Sequence, residues 1–422
     1  MIPRHLVVVS YFHPPFPSPG GNRWVAMAHY LRAAGHRVTF VASHAFGALP
    51  DDEPSSVVRA RDLKSMRLLR RALRRGPMPE AGQGGAAELP PSSLLTKVLV
   101  PDAHLVSWLP AAIPKVRRLV ARRDVDCVVT TGPPDSVHLA GLALGARRPA
   151  WLADFRDGWL FEPLRDSFPT AMQRRLDAAL EARVVRNADL LVAATQPIAD
   201  DFRRRYGVDA VTVTNGYDPR LDDAAEQAAL PSLPEDRRLI VHTGTLSGLR
   251  GRDPRPLLEA LRQVTDESGV GSRLLFVHAG PTAPGDEPLL AVLRDRGLVH
   301  TLGVVPRSSA IALQRRAAAL VLLTSDEISQ STGKLYEYLA AGRPIIALAG
   351  ENEAARIVRE TRAGIVVPPG DVDAIAAVLR SAATGELERG FAPHDVERYT
   401  YPAPAEAMAE SVERAIRRRS TP

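Results

Sequence analysis

Short apolar runs rich in β-branched residues alternate along the chain with longer stretches in which apolar positions recur every three or four residues. The first pattern suits strands buried on both faces and the second suits amphipathic helices covering them, so βα units on parallel sheets are expected. In the first half, strands are expected at His5–Ser10, Arg37–Ser43, Val125–Thr131, Trp151–Phe155, Leu190–Ala194 and Val211–Thr214. Asn22–Ala34 is the clearest helix, closed by Gly35. The pattern restarts with Leu239–Thr243, Leu274–Ala279, Val299–Leu302, Leu320–Leu323, Ile345–Leu348 and Gly364–Val367, and Pro404–Arg419 reads as a last helix. Asp218–Arg237, rich in Asp, Ala and Pro, reads as a linker between the halves. Two doubly wound α/β domains follow, 1–217 and 238–399, joined through 218–237.

Composition narrows the class. The 422 residues are 45% apolar and 24% charged, ordinary globular usage with room for two domains. Apolar runs such as Leu6–Val9 and Leu320–Leu323 fall far short of the ~20 residues that span a bilayer. The four apolar residues that open the chain's first strand are too few for a signal peptide, and Cys127, the one cysteine, excludes an internal disulfide or a Cys-rich zinc site. A cytoplasmic protein is expected. The net charge is +6, and four lysines, Lys64, Lys97, Lys115 and Lys334, leave 50 of the 54 basic side chains to arginine. In such a chain each lysine is a departure from the default cation.

In open α/β sheets ligands sit beyond the carboxyl ends of the strands. After the first strand comes Tyr11-Phe-His-Pro-Pro-Phe-Pro-Ser-Pro-Gly-Gly-Asn-Arg, where Gly20 and Gly21 let backbone approach a ligand ahead of a helix N-terminus; it also reads as a proline-rich loop turned by two glycines. After the first strand of the second half, Gly244, Thr245, Gly248 and Gly251 beside Arg250 and Arg252 suit a diphosphate cradle of amides and guanidinium groups; the segment also reads as a surface loop with incidental arginines. The most informative segment is Ser331-Thr-Gly-Lys-Leu-Tyr-Glu-Tyr-Leu-Ala-Ala-Gly-Arg-Pro. Here Ser331, Thr332, Gly333 and the opening amides suit phosphate oxygens, Lys334 adds a compact charge, and Glu337, one turn on, suits a ribose diol. A solvated i,i+3 ion pair is the plainer reading of Lys334 and Glu337.

The order of these features resembles the retaining GT-B glycosyltransferases, the clan of glycogen and sucrose synthases and of group 1 bacterial glycosyltransferases. Pro19-Gly20-Gly21 stands at the family's N-terminal glycine loop, and Val213-Thr-Asn-Gly-Tyr-Asp resembles its turn into the interdomain linker. Thr243-Gly-Thr resembles the start of its donor domain, and Lys334-Leu-Tyr-Glu-Tyr-Leu-Ala-Ala-Gly-Arg-Pro its donor-binding helix. The resemblance implies two Rossmann-like domains facing a central cleft, acceptor binding in the first, and 400–422 crossing back to pack on it. It implies a UDP- or GDP-sugar as donor substrate, with no permanently bound cofactor. Glu337 would bind the ribose hydroxyls, and Lys334 with Arg250 or Arg252 the diphosphate. The family's pair of glutamates seven residues apart is broken at Ser329, whose place could fall to Asp326, Glu327 or the Ser331–Thr332 backbone. Asp154-Phe-Arg-Asp-Gly-Trp resembles the family's "R-D-x-W", so Asp157 is a catalytic candidate while Arg156 could pair with Asp154 as structure; His13 is an acceptor-side candidate.

No metal-ligand signature appears, so the expected transfer relies on Lys334, Arg252 and helix-end amides to stabilise the leaving diphosphate. Retention is implied by the resemblance; Asp157 acting as a general base opposite the leaving group would invert. Two alternatives stand beside transfer: a nucleotide-sugar epimerase or hydrolase of the same architecture, and a basic membrane-surface protein. The feature behind the latter is Arg59–Arg75, with Leu63, Met66, Leu69 and Leu73 at helical spacing among seven arginines and Lys64, expected as an interfacial helix on an anionic membrane at its cytoplasmic face. Little aromatic interleaving argues against nucleic acid.

Overall fold

The computed structural model describes residues 2–15, 19–44, 55–62, 98–162, 165–230, 232–247, 252–265 and 270–420. These form two compact units, one running to Asn215 and resuming at Tyr401, the other spanning Gly216–Thr400.

The first unit is a seven-stranded sheet: β1 (His5–Ser10), β2 (Arg37–Ser43), β3 (Val57–Ala60), β4 (Cys127–Gly132), β5 (Ala150–Phe155), β6 (Leu190–Ala193) and β7 (Ala210–Thr212). Their order is β3-β2-β1-β4-β5-β6-β7, all parallel. Every residue of β1, β4 and β5 is buried, because helices cover both faces. On one face Trp24, Met27 and Leu31 of the first helix pack with Met408, Val412 and Ala415 of the terminal helix (Ala403–Ser420). Arg4 fixes that helix through Glu413 at 2.7 Å. The chain end thus returns to the first unit, as expected.

Two expectations need correction here. Residues Arg59 and Ala60 do not begin a helix: they end β3, in register with Ala42 and Ser43, and Arg59 donates to Ser43 O at 3.0 Å. A short β-branched run at a sheet edge outweighs the helical spacing that follows it; residues 63–75 lie outside the described residues. The first helix starts at Pro19, not Asn22, so Gly20 and Gly21 sit in its first turn rather than in a loop before it. Proline suits a first helical position because its missing N–H would be unpaired there. A side chain at Gly21 would stand 3.4 Å from Phe12 O, so this glycine serves close packing.

The second unit holds β8 (Arg238–Thr243), β9 (Leu274–Ala279), β10 (Val299–Gly303), β11 (Ala319–Leu323), β12 (Ile345–Leu348) and β13 (Gly364–Val367). The order is β10-β9-β8-β11-β12-β13, again parallel. Strand order reverses between β8 and β11, which opens a crevice beyond Thr243 and Leu323. Residues 218–237 are not a free connector: Pro219–Leu221 and Asp222–Glu226 form two helical turns, and Ala225 and Leu233 are buried in this unit's core. Burying those side chains draws the stretch onto the Arg307–Arg316 helix, where Arg315 pairs with Asp222.

Candidate functional site

At the reversal point β8 ends in Gly244, whose φ of +120° is open to glycine and closed to most side chains. Its N–H donates to Ala279 O at 2.8 Å, and its carbonyl accepts from His278 Nε2 at 2.9 Å. A Cβ on Gly280 would lie 2.0 Å from Gly244 O, so the loops after β8 and β9 touch through two glycines. Ser247 Oγ then donates to Asp286 at 2.6 Å and locks the loops together. Arg252 reaches back to Thr245 O at 3.4 Å. Among the described residues, the amides of Thr245 and Leu246 donate to no protein group.

Across the crevice, the helix Gly333–Ala341 starts after an extended Thr332 whose hydroxyl makes no cap bond and is buried without a partner among the described residues. The amides of Gly333 and Lys334 likewise donate to no described protein group. Such a terminus carries partial positive charge and open donors. The Lys334 stem lies against Gly244, its Cε 3.6 Å from where a Cβ would stand. Its ammonium donates to Glu337 Oε2 at 2.7 Å. Glu337 is only 8% exposed and takes two further donors, Gln314 Nε2 at 3.1 Å and Arg307 at 3.1 Å. Burial pushes this carboxyl upward, but Lys334, Arg307 and Gln314 override it and hold it below its ordinary value, so it stays an anion. Gln314 also donates to Thr243 Oγ1 at 2.8 Å, and Thr243 N to Tyr338 OH at 2.9 Å, which ties the carboxylate to the end of β8.

The structure therefore brings Gly244, Thr245, Arg252, Thr332, Gly333, Lys334 and Glu337 to one crevice of the second unit. Arg250, with Gly248 and Gly251, lies outside the described residues. Ser331 is turned inward, its hydroxyl 2.7 Å from Tyr336 OH. Ser329 is followed by Gln330, whose Oε1 accepts from Ser325 N at 2.5 Å and Oγ at 2.9 Å; Asn352 holds Thr324 Oγ1 at 2.9 Å and Ser325 O at 2.7 Å. These amides brace the loop where the glutamate pair is broken, and Asp326 is exposed at its rim.

Gly20, Gly21 and Asp157 belong to the first unit. Asp157 follows β5, half-buried, and its charge helps raise Asp135, whose carboxyl burial pushes well above the ordinary value against Arg165. Arg156 does not pair with Asp154; it donates to Gly132 O at 2.9 Å. Asp154 is fully buried and held instead by Trp24 Nε1 at 2.8 Å, Thr131 Oγ1 at 2.8 Å and Arg23 at 3.4 Å. Arg23 also caps Val213 O and Thr214 O, both at 2.7 Å. That cluster is a structural clamp. His13 is engaged by Arg59 at 3.4 Å and packs on Phe40.

Gln314, His242 and His278 escaped the sequence reading. Gln314 interrupts the apolar stripe of Ala310, Ile311 and Leu313, and each histidine follows the apolar run of its strand near the carboxyl end. A polar residue at a position the pattern reserves for apolar ones is the signal that could have found them.

Comparison with known proteins bears on this arrangement. A family model described as "glycosyl transferase 4-like domain" matches residues 20–216, and one described as "glycosyl transferases group 1" matches residues 237–384. Two curated relatives named D-inositol 3-phosphate glycosyltransferase are similar over about half of the chain. The one from Streptomyces bingchenggensis is 29% identical over 56% of this chain and 55% of its own length; the one from Xylanimonas cellulosilytica is 31% identical over 57% and 60%. The chain thus spans little more than half the length of these relatives. Among solved structures, sucrose-phosphate synthase from Thermosynechococcus elongatus aligns with a TM-score of 0.59 at 18% identity, covering 96% of this chain and 98% of that one. The lipopolysaccharide-biosynthesis glycosyltransferase WaaG aligns at 0.57 and 16% identity, covering 99% and 100%. With the two parallel sheets and the matched family models, these likenesses establish that the chain belongs to the group 1 glycosyltransferases of GT-B fold.

Proposed function

We propose that the protein transfers a sugar from a nucleoside-diphosphate sugar of UDP or GDP type to a hydroxyl acceptor, with retention and without a metal ion. One observation carries this reading: a buried, ionised Glu337 stands beside Lys334, Arg252 and the open amides of Thr245, Leu246, Gly333 and Lys334. A carboxylate flanked by cations and unpaired N–H groups suits a ribose diol joined to a diphosphate. Arg252 and Lys334 would hold the diphosphate and stabilise the charge that builds on it as the glycosidic bond breaks, work that fixed cations and amides do without reorganisation. The acceptor oxygen bonds to the anomeric carbon, and its proton passes to the departing phosphate. Asp157, at the carboxyl end of the first unit's sheet, is the acceptor-side catalytic candidate.

D-inositol 3-phosphate is the acceptor to try first, from the names of the curated relatives. Placement in the cytoplasm, with contact to anionic membrane through the part of Arg59–Arg75 that follows β3, is proposed on sequence grounds. The test is to incubate the protein with UDP- and GDP-sugars, with and without D-inositol 3-phosphate and with EDTA present, following nucleotide release and the anomeric configuration of product. Acceptor-dependent release of one nucleotide with retained configuration supports the proposal. Donor consumption without acceptor would replace it with the epimerase or hydrolase reading.

A further inference from the structure

Gly244 O is boxed in by the end of β9. His278 Nε2 donates to it at 2.9 Å, and Gly280 has no side chain to displace it. His278 is fully buried, and its other ring nitrogen, Nδ1, has no partner among the described residues. The bond to Gly244 O is thus the polar contact that fixes this imidazole, and it fixes the neutral form protonated at Nε2. Burial holds His278 below its ordinary value, so that form persists at neutral pH.

A trans peptide is planar, with its carbonyl and the following N–H pointing in opposite directions. Holding Gly244 O toward β9 therefore aims the Thr245 N–H away from β9, into the crevice. That N–H donates to no described protein group. The next carbonyl, Thr245 O, is approached by Arg252 at 3.4 Å, and the Leu246 N–H that follows donates to no described protein group. His242 stacks beside His278 at 5.7 Å between ring centres, as their paired register on β8 and β9 requires. Two successive amides without acceptors among the described residues, beside Lys334 and Arg252, suit an anion.

We propose that His278 is a positioning residue of the donor site: by donating from Nε2 to Gly244 O, it turns the Gly244–Thr245 peptide so that the Thr245 N–H is presented to the diphosphate of the donor. This rests on the nucleotide-sugar reading above. The imidazole itself touches no ligand. It removes the freedom of one peptide plane before the donor arrives, so the amide needs no reorientation on binding.

The experiment compares UDP, GDP and inorganic pyrophosphate with uridine and guanosine, by calorimetry and competition, on wild type and three variants. In His278→Phe the ring remains without its donor. His278→Asn places an amide where Nδ1 stood, and His278→Gln places one where Nε2 stood. Losing one oriented bond to a charged group is worth on the order of 10- to 100-fold. His278→Phe and His278→Asn are expected to lose that factor for diphosphates and to bind nucleosides as wild type does, whereas His278→Gln restores diphosphate binding. The proposal is overturned if a folded His278→Phe or His278→Asn binds diphosphates as wild type does. It is overturned equally if nucleosides and diphosphates weaken together, since His278 would then only support the fold. A wild type that binds none of the diphosphates would bring down the nucleotide-sugar reading itself, and this proposal with it.

Discussion

Replacing Lys334 with methionine keeps the aliphatic stem against Gly244 and removes only the ammonium. Glu337, 8% exposed, then keeps Arg307 and Gln314 but loses the donor at 2.7 Å. Removing one partner of a buried pair costs about 3–5 kcal/mol when the remaining charge is stranded. Here the lysine is one-third exposed and two donors remain, so a loss of about 1–2 kcal/mol is expected. For a unit of this size that is a fall of roughly 3–6 °C in its melting midpoint. The pH dependence sharpens the test. In the wild type Glu337 titrates below its ordinary value near 4.5, so its stabilisation is present above that pH and lost as pH falls through the depressed value. Without the ammonium, burial weighs more and the carboxyl moves back up, so the variant gains less stability as pH rises. The melting gap should be widest at neutral pH and narrow as pH falls below 4.5 toward the depressed value. Scanning fluorimetry from pH 3.5 to 8 reads it, and an equal gap at every pH, or none, would refute the coupling of Lys334 to Glu337.

Other consequences follow from single contacts. Arg23→Met leaves a fully buried Asp154 with Trp24 and Thr131 but no cation and uncaps two carbonyls, so a loss of about 3–5 kcal/mol from the first unit is expected in urea unfolding, with nucleotide affinity of the second unit unchanged. Gly280→Ala drives a methyl to within 2.0 Å of Gly244 O, so the two loops must separate; nucleotide binding should fall at least tenfold by calorimetry. Gln314→Glu sets a second carboxyl against Glu337, and its pH profile should show nucleotide affinity recovering as pH falls and one of the pair takes up a proton. Gln314→Leu should weaken binding without that recovery.

The strands were legible because a parallel sheet covered on both faces leaves a bare apolar signature; Leu274–Ala279 and Ile345–Leu348 match residue for residue. β3 was missed because four residues at a sheet edge carry little signal next to the longer helical spacing that follows. Lys334 and Glu337 were legible because i,i+3 spacing on a helix is local and because lysine is rare in this chain. Arg307 and Gln314 come to the same crevice from the helix Arg307–Arg316 and His278 from β9, and nothing in one sequence states that they meet there. Asp154 shows the same limit in reverse: its nearest sequence cation, Arg156, turns to Gly132 O, while Arg23, 131 positions away, fills the role.

The central claim is that the crevice around Lys334, Arg252 and Glu337 binds a nucleoside diphosphate through protein cations and amides. A thermal-shift series with UDP, GDP, ADP and dTDP, on wild type and Lys334→Ala, with and without EDTA, tests it most directly. At 100 times its dissociation constant, a ligand confined to the folded state adds about 2.7 kcal/mol, several degrees of midpoint. The account predicts stabilisation by UDP or GDP that survives EDTA and is lost in Lys334→Ala. No shift with any of the four at millimolar concentration, or a shift that Lys334→Ala retains in full, would contradict it.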